Sequence, residues 1–221
     1  MKKPVIFCDF DGTITETDNI IALMKHFAPP EWETIKDEIL SQEISIKEGV
    51  EKLFSLLPSS LKEELVQFLK NHAEIREGFS RFVAYTKDHN IPLYIVSGGI
   101  DFFVYPLLTG LVETNSVYCN GSDFSGDYIK ILWPNSCDQY CQNDCGCCKP
   151  SLIRKLADNP NHHIIVIGDS ITDLEAAKLA DTVIARDFLK ETLITLNIPH
   201  FSFGSFDDVV EVLDSQIEVK V

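Results

Sequence analysis

The run Pro4–Val5–Ile6–Phe7–Cys8 is apolar and β-rich, and it ends abruptly on Asp9–Phe10–Asp11–Gly12–Thr13. A continuous hydrophobic run of this length, bounded by turn residues, predicts a strand buried on both faces. In open α/β sheets ligands bind at the carboxyl ends of such strands, which is where Asp9 and Asp11 fall. Two carboxylates so close to a buried sheet are costly unless a cation or a shared proton compensates them. A bare Asp-x-Asp also describes an ordinary acidic turn, so its meaning depends on the rest of the chain.

Three later segments bear on it. Residues 91–96, Ile-Pro-Leu-Tyr-Ile-Val, form a second apolar strand ending on Ser97, Gly98 and Gly99. Lys149 stands just before Pro150 and a helix-like segment from Ser151 to Ala157. A third strand over 164–167 ends on Gly168–Asp169, with Asp173 four residues on. Each has a plain reading alone: a turn, a surface lysine, a helix cap. Their order in one chain is the informative part.

Together the four segments resemble the signature of the haloacid dehalogenase superfamily of phosphohydrolases. The resemblance implies an α/β fold, a Rossmann-like parallel sheet core, with a helical cap inserted after the first strand. It implies Asp9 as the nucleophile that forms an aspartyl-phosphate, and Asp11 as the acid and then the base. Ser97, the Gly98 amide and Lys149 then hold the phosphoryl oxygens, with Gly99 beside them. Mg²⁺ is the implied cofactor, bound by Asp9 and Asp169 with the Asp11 carbonyl. Asp173 orients the metal's waters or ligates it directly. This chemistry suits the residue types. A phosphate dianion repels an incoming nucleophile, and a hard cation with carboxylate ligands offsets that charge. Mutases that pass the phosphoryl group to a sugar share the same aspartates, so transfer to water is an expectation here.

At 221 residues the chain holds a sizeable core plus an insertion. Its net charge of −15 leaves no basic stripe for nucleic acid. No apolar run approaches a membrane span. Lys2–Lys3 lead straight into the first strand, and the catalytic aspartates fall where a signal peptide's cleavage region belongs, so a cytoplasmic location is expected.

Residues 16–75 read as helices without strands. Thr17 or Asp18 caps a helix through His26, and another runs from Glu31 to Leu40 after Pro29–Pro30. A third opens at Ser45 and runs to Leu57, and Ser60-x-x-Glu63 has capping-box form. This looks like the cap of the phosphoserine-phosphatase-like branch. Residues 1–15 and 76–221 are then the core: a helix over 78–89, strands at 182–185 and 200–203, and a helix over 188–196. A hairpin is predicted between Phe124 and Trp133, turning at Ser125–Gly126–Asp127.

Five of the seven cysteines follow, as Cys137-x3-Cys141-x3-Cys145-x-Cys147–Cys148, running into Lys149. Two readings stay open: thiolates that hold Zn²⁺, and free thiols that order the loop, the latter being expected. A thiol-based metal or redox module is the competing function class. The cysteine-rich run is similar to that of methionine-salvage phosphatases, which act on an apolar-tailed keto-enol phosphate. Leu53 aligns with a cap position that presents an arginine to the substrate carboxylate in serine-specific relatives. A small-molecule phosphate ester without that carboxylate is therefore expected, with Asp18, or Glu16, as an acceptor for its polar groups. Phosphocholine or phosphoethanolamine, whose ammonium group suits Asp18 and an aromatic cage, and phosphoserine are the alternatives.

Overall fold

The apolar run is strand β1 (Lys3–Cys8) in a computed structural model that describes residues 2–157 and 160–216. Val5, Ile6, Phe7 and Cys8 are all buried, which requires packing layers on both sheet faces. Beside it run β2 (Leu93–Ile100), β3 (Val117–Asp123) and β4 (Lys130–Leu132) on one flank. On the other are β5 (His162–Gly168), β6 (Thr182–Ala185) and β7 (Phe201–Ser202). The order is β4-β3-β2-β1-β5-β6-β7, parallel throughout except for β3 with β4. The chain thus moves outward from β1 on one side, then crosses to the other. That reversal opens a crevice at the carboxyl ends of β1, β2 and β5.

Four helices lie between β1 and α5 (Phe79–Asp88): α1 (Asn19–Phe27), α2 (Trp32–Leu40), α3 (Ile46–Ser55) and α4 (Lys62–His72). Asp18 caps α1, accepting from Ile21 N at 2.9 Å, and Ser45 caps α3, accepting from Glu48 N at 3.0 Å. Leu23, Leu53, Phe54, Leu57 and Leu65 pack into the same apolar cluster as Ile6, Phe10 and Phe103. On the opposite face α7 (Lys149–Leu156) covers Val5, Phe7, Val96 and Val166 through Leu152 and Ile153. Lys149 is the first residue of that helix, two positions earlier than the predicted start.

Several boundaries differ from the sequence expectation. Strand β2 continues through Ser97–Gly98–Gly99 to Ile100, and its register against β3 shifts between Val96 and Ile100, so the expected turn is an irregularity within a strand. The hairpin's first strand lies upstream of Phe124, with β3 pairing antiparallel to β4. Ser60-x-x-Glu63 does not form a capping box. A 3₁₀ turn over Ser59–Leu61 precedes α4, whose cap, Leu61, offers no side-chain bond. Tertiary bonds decide this, since Ser59 N donates to Asp127 O and Ile129 N to Leu57 O. The expected strand over 200–203 is only two residues long. Helices α6 (Asp101–Leu108), α8 (Leu174–Ala177), α9 (Asp187–Thr195) and α10 (Phe206–Gln216) complete the set, and of these only α9 was expected.

Where the chain returns from α4 to the sheet, Arg76 is buried beneath the loop that follows β1. Its Nε donates to Thr13 O at 2.8 Å, and its Nη2 to Gly12 O at 2.8 Å and Thr15 O at 3.3 Å. Nη1 reaches Gly204 O at 3.4 Å and pairs with Glu16 at 2.6 Å. One guanidinium thus satisfies carbonyls that would otherwise be buried without donors. Arg76→Met should cost about 3 kcal/mol or more in urea unfolding, since it strands several buried acceptors at once. Arg81→Met, removing an exposed pair with Asp207, should leave the unfolding midpoint nearly unchanged. Equal effects would show that Arg76 is not the clamp of this loop.

Candidate active site

Asp9 follows β1 directly and keeps the strand's hydrogen bonding, its N–H donating to Ile167 O at 2.9 Å. The backbone then turns through Gly12 at φ +78°, a left-handed conformation that favours glycine. A Cβ there would stand 2.4 Å from Asp169 Oδ2, so this turn and the end of β5 touch closely. Thr13 Oγ1 donates to Asp169 Oδ1 at 2.7 Å and fixes that carboxylate against the loop.

Lys149 joins the pieces. Its Nζ lies 2.8 Å from Asp9 Oδ1 and 2.5 Å from Asp173 Oδ1, and all three side chains are buried. The other oxygen of Asp173 accepts from Asp169 N at 3.2 Å, Ser170 N at 3.1 Å and Ser170 Oγ at 3.3 Å. Asp173 therefore anchors both the lysine and the turn that carries Asp169. One carboxylate oxygen from each of Asp9, Asp169 and Asp173 lies within 4.8 Å of the others.

Asp11 is held on two sides. Oδ1 accepts from Asn19 Nδ2 at 2.7 Å and Asn19 N at 3.1 Å, while Oδ2 accepts from Ser97 Oγ at 3.4 Å. Ser97 Oγ in turn accepts from Gly99 N at 2.8 Å. A side chain at Gly99 would come within 2.6 Å of Asp11 Oδ2, so glycine permits this approach, whereas the space beside Gly98 is open. Asp18, at the N-terminus of α1, is exposed, and its charge reaches both Asp11 and Asp169.

Burial dominates the electrostatics. It pushes Asp11 up to about 7, with Asp18 adding to the shift, and Asp169 up to about 7, with Asp173 adding. Burial and the Asp173 charge also raise Asp9, against the opposing pull of Lys149. For Lys149, burial alone would lower the pKa, but Asp173 and Asp9 outweigh it and hold the ammonium charged. Asp9, Asp11, Asp169 and Asp173 thus outnumber the cation between them. An all-oxygen donor set this short of positive charge fits a hard divalent cation.

The sequence-derived residues Asp9, Asp11, Ser97, Gly98, Gly99, Lys149, Asp169 and Asp173 all converge on this crevice, with Asp18 at its rim. Leu53 is buried in the apolar cluster beneath the helices. Sequence reasoning missed Asn19 and Arg76, and named Thr13 in the first segment without a role for it. A polar residue at the first position of α1, directly after a cap aspartate, was the available signal for Asn19. Arg76 had none, because the carbonyls its side chain binds lie 61 to 128 residues away.

The sequence matches the haloacid dehalogenase-like hydrolase family over residues 6–178. It is 63% identical over 212 residues, 96% of each chain, to the 2-hydroxy-3-keto-5-methylthiopentenyl-1-phosphate phosphatase of Geobacillus kaustophilus (strain HTA426). It is 55% identical over 215 residues, 97% of this chain and 98% of the relative, to the enzyme of that name in Bacillus cereus (strain B4264). Among solved structures, a phospho-aspartyl intermediate analogue of phosphoserine phosphatase matches with a TM-score of 0.71 at 18% identity, covering 96% of this chain and 99% of that one. Phosphoserine phosphatase from T. onnurineus matches with a TM-score of 0.72 at 15% identity, covering 99% and 96%. At such identities the structural likeness establishes the fold, and the sequence likeness establishes the rest: the chain belongs to the haloacid dehalogenase-like hydrolase family, as a phosphatase.

Proposed function

We propose that this phosphatase hydrolyses 2-hydroxy-3-keto-5-methylthiopentenyl-1-phosphate, with Asp9 as nucleophile and Asp11 as the proton-transfer group. The observation that carries the reading is the single crevice in which Asp9, Asp11, Asp169 and Lys149 meet. Residues 1–15 and 76–221 act as the catalytic core, and residues 16–75 as a cap that shields it. Mg²⁺ held by Asp9, Asp169 and the Asp11 carbonyl supplies charge neutralisation for the phosphoryl oxygens.

The residues then divide the work. Asp9 attacks phosphorus through the oxygen not bonded to Lys149, forming the aspartyl-phosphate as the ester P–O bond breaks. Lys149 stays beside the phosphoryl group as a fixed cation. Asp11, oriented by Asn19 and Ser97, gives its proton to the leaving oxygen. It takes one back from the water that hydrolyses the intermediate, releasing phosphate and restoring Asp9. Asp173 keeps Lys149 and Asp169 in place, which accounts for both of its oxygens without direct ligation of the ion. Substrate identity rests on the close relatives named for this ester; Leu53, which the resemblance sets against an arginine of serine-specific caps, is itself packed in the apolar cluster. A phosphoserine carboxylate desolvated against apolar groups lacks a partner, and such mismatches discriminate strongly.

Asp9→Asn should abolish turnover and labelling of the chain by substrate phosphate while leaving the circular dichroism unchanged. Labelling at another residue would displace Asp9 from its role. Asp11→Asn should slow turnover by about 10²–10⁴-fold. Steady-state kinetics on both esters tests the substrate. The methylthiopentenyl phosphate should exceed phosphoserine in kcat/KM by about 100-fold or more, with EDTA abolishing and Mg²⁺ restoring the rate. Equal efficiency on phosphoserine would refute the substrate assignment, and full activity in EDTA would refute the metal.

A further inference from the structure

The cysteine-rich loop draws four sulfurs together outside the catalytic crevice. Residues 133–148, between β4 and α7, contain no helix or strand. A segment this long without regular structure has little means of holding a shape by itself. Within it, the Sγ atoms of Cys137, Cys141, Cys145 and Cys148 all lie within 4.8 Å of one another. Cys137 and Cys141 are 3.6 Å apart, and Cys141 and Cys145 are 3.8 Å apart. These separations exceed the roughly 2.05 Å of a disulfide, and every cysteine is a free thiol. A tetrahedral shell with Zn–S bonds of about 2.3 Å places neighbouring sulfurs about 3.8 Å apart.

Apolar packing does not explain the convergence. Of the cluster only Cys148 is buried, Cys137, Cys141 and Cys145 being half-buried, whereas the buried Cys8, Cys119 and Cys147 stand outside it. Hydrogen-bond donors also reach two of the four sulfurs. Cys145 N donates to Cys137 Sγ at 3.4 Å, and Ser151 Oγ donates to Cys148 Sγ at 2.9 Å. Such donors around a metal-bound sulfur orient it and offset its charge. Arg154, one turn further along α7 and paired with Asp138, interacts electrostatically with Cys141 and Cys148. It puts a cation where a four-thiolate centre carries net negative charge.

We propose that Cys137, Cys141, Cys145 and Cys148 form a closed structural Zn²⁺ site, in which four thiols lose four protons and no redox change occurs. Soft thiolate ligands in a tetrahedral set select zinc over the hard cation suited to the carboxylates. This replaces the free-thiol expectation from sequence. The site has a mechanical role because two parts of the enzyme hang on the loop. Cys148 is followed by Lys149, the cation of the catalytic crevice. Asp144, in the same loop, accepts from Ser45 Oγ at 2.9 Å and pairs with Lys47 Nζ at 3.3 Å, at the start of α3. Lys47 also lies over the Trp133 ring at 5.9 Å. One ion thus fixes both the catalytic lysine and the seat of a cap helix.

Elemental analysis of the full chain, purified without added metal and gel-filtered, should find one zinc per chain. Co²⁺ exchanged into the protein should show thiolate-to-metal charge transfer and the visible bands of a tetrahedral site. Cys141→Ser should lower zinc content at least tenfold, while Cys147→Ala, in the same run but outside the cluster, should retain it. If Cys141→Ser fails to fold, the wild-type metal content and the cobalt spectrum decide. Metal-free wild type with thiols freely reactive to Ellman's reagent, stoichiometric iron, a cobalt spectrum without thiolate bands, or equal zinc loss in both variants would each overturn the assignment.

Discussion

The contact on which the site depends is Lys149 between Asp9 and Asp173. A lysine and two carboxylates taken out of water are expensive, and their attraction repays the cost only with good geometry and further hydrogen bonds. The fold supplies both. Asp173 spends its second oxygen on the amides of residues 169 and 170, and Asp9 is fixed by the last rung of the β1–β5 ladder. Asp169 and Asp11 add charge that the lysine does not balance. The crevice is therefore preorganised for positive charge, and a phosphate dianion becomes acceptable there once that charge has been supplied.

Around this centre the fold works largely by fixing backbone. Arg76 ties the 12–15 loop from below, Thr13 links it to Asp169, and Asn19 and Ser97 hold Asp11 from opposite sides. Arg76, Thr13 and Asn19 carry no chemistry of their own in the proposed reaction. They hold the reacting carboxylates in one geometry, which is what positioning requires in phosphoryl transfer.

Asp9, Asp11, Ser97 and Asp169 were legible because each closes an apolar run, where local pattern and chemistry coincide, whereas Lys149, at the start of α7, was legible only from its place in the order of the four segments. The sheet followed from the same strands. What escaped depended on distant partners. Arg76 binds carbonyls across the whole insertion, and the 59–61 turn answers to the hairpin rather than to its own capping pattern. Strand β3 was misplaced because Asn120, Gly121 and Ser122 show no apolar alternation. Its pairing with β4 comes from backbone bonds, not from an apolar stripe. Helix α10 did carry a signal, with Phe206, Val209 and Leu213 at helical spacing and all buried. The cysteine spacing raised the question of a metal, but only the path of the loop shows which four sulfurs converge.

The charge of the chain sharpens the division between binding and encounter. A net charge of −15 repels a phosphate dianion at long range, so the enzyme gains no steering toward its substrate from the overall field. Screening confines that repulsion to about 8 Å at physiological ionic strength. Within that distance the local set decides: Lys149, the cation favoured by the carboxylates, and the open face beside Gly98. A single phosphoryl group, held within that distance, needs only the crevice.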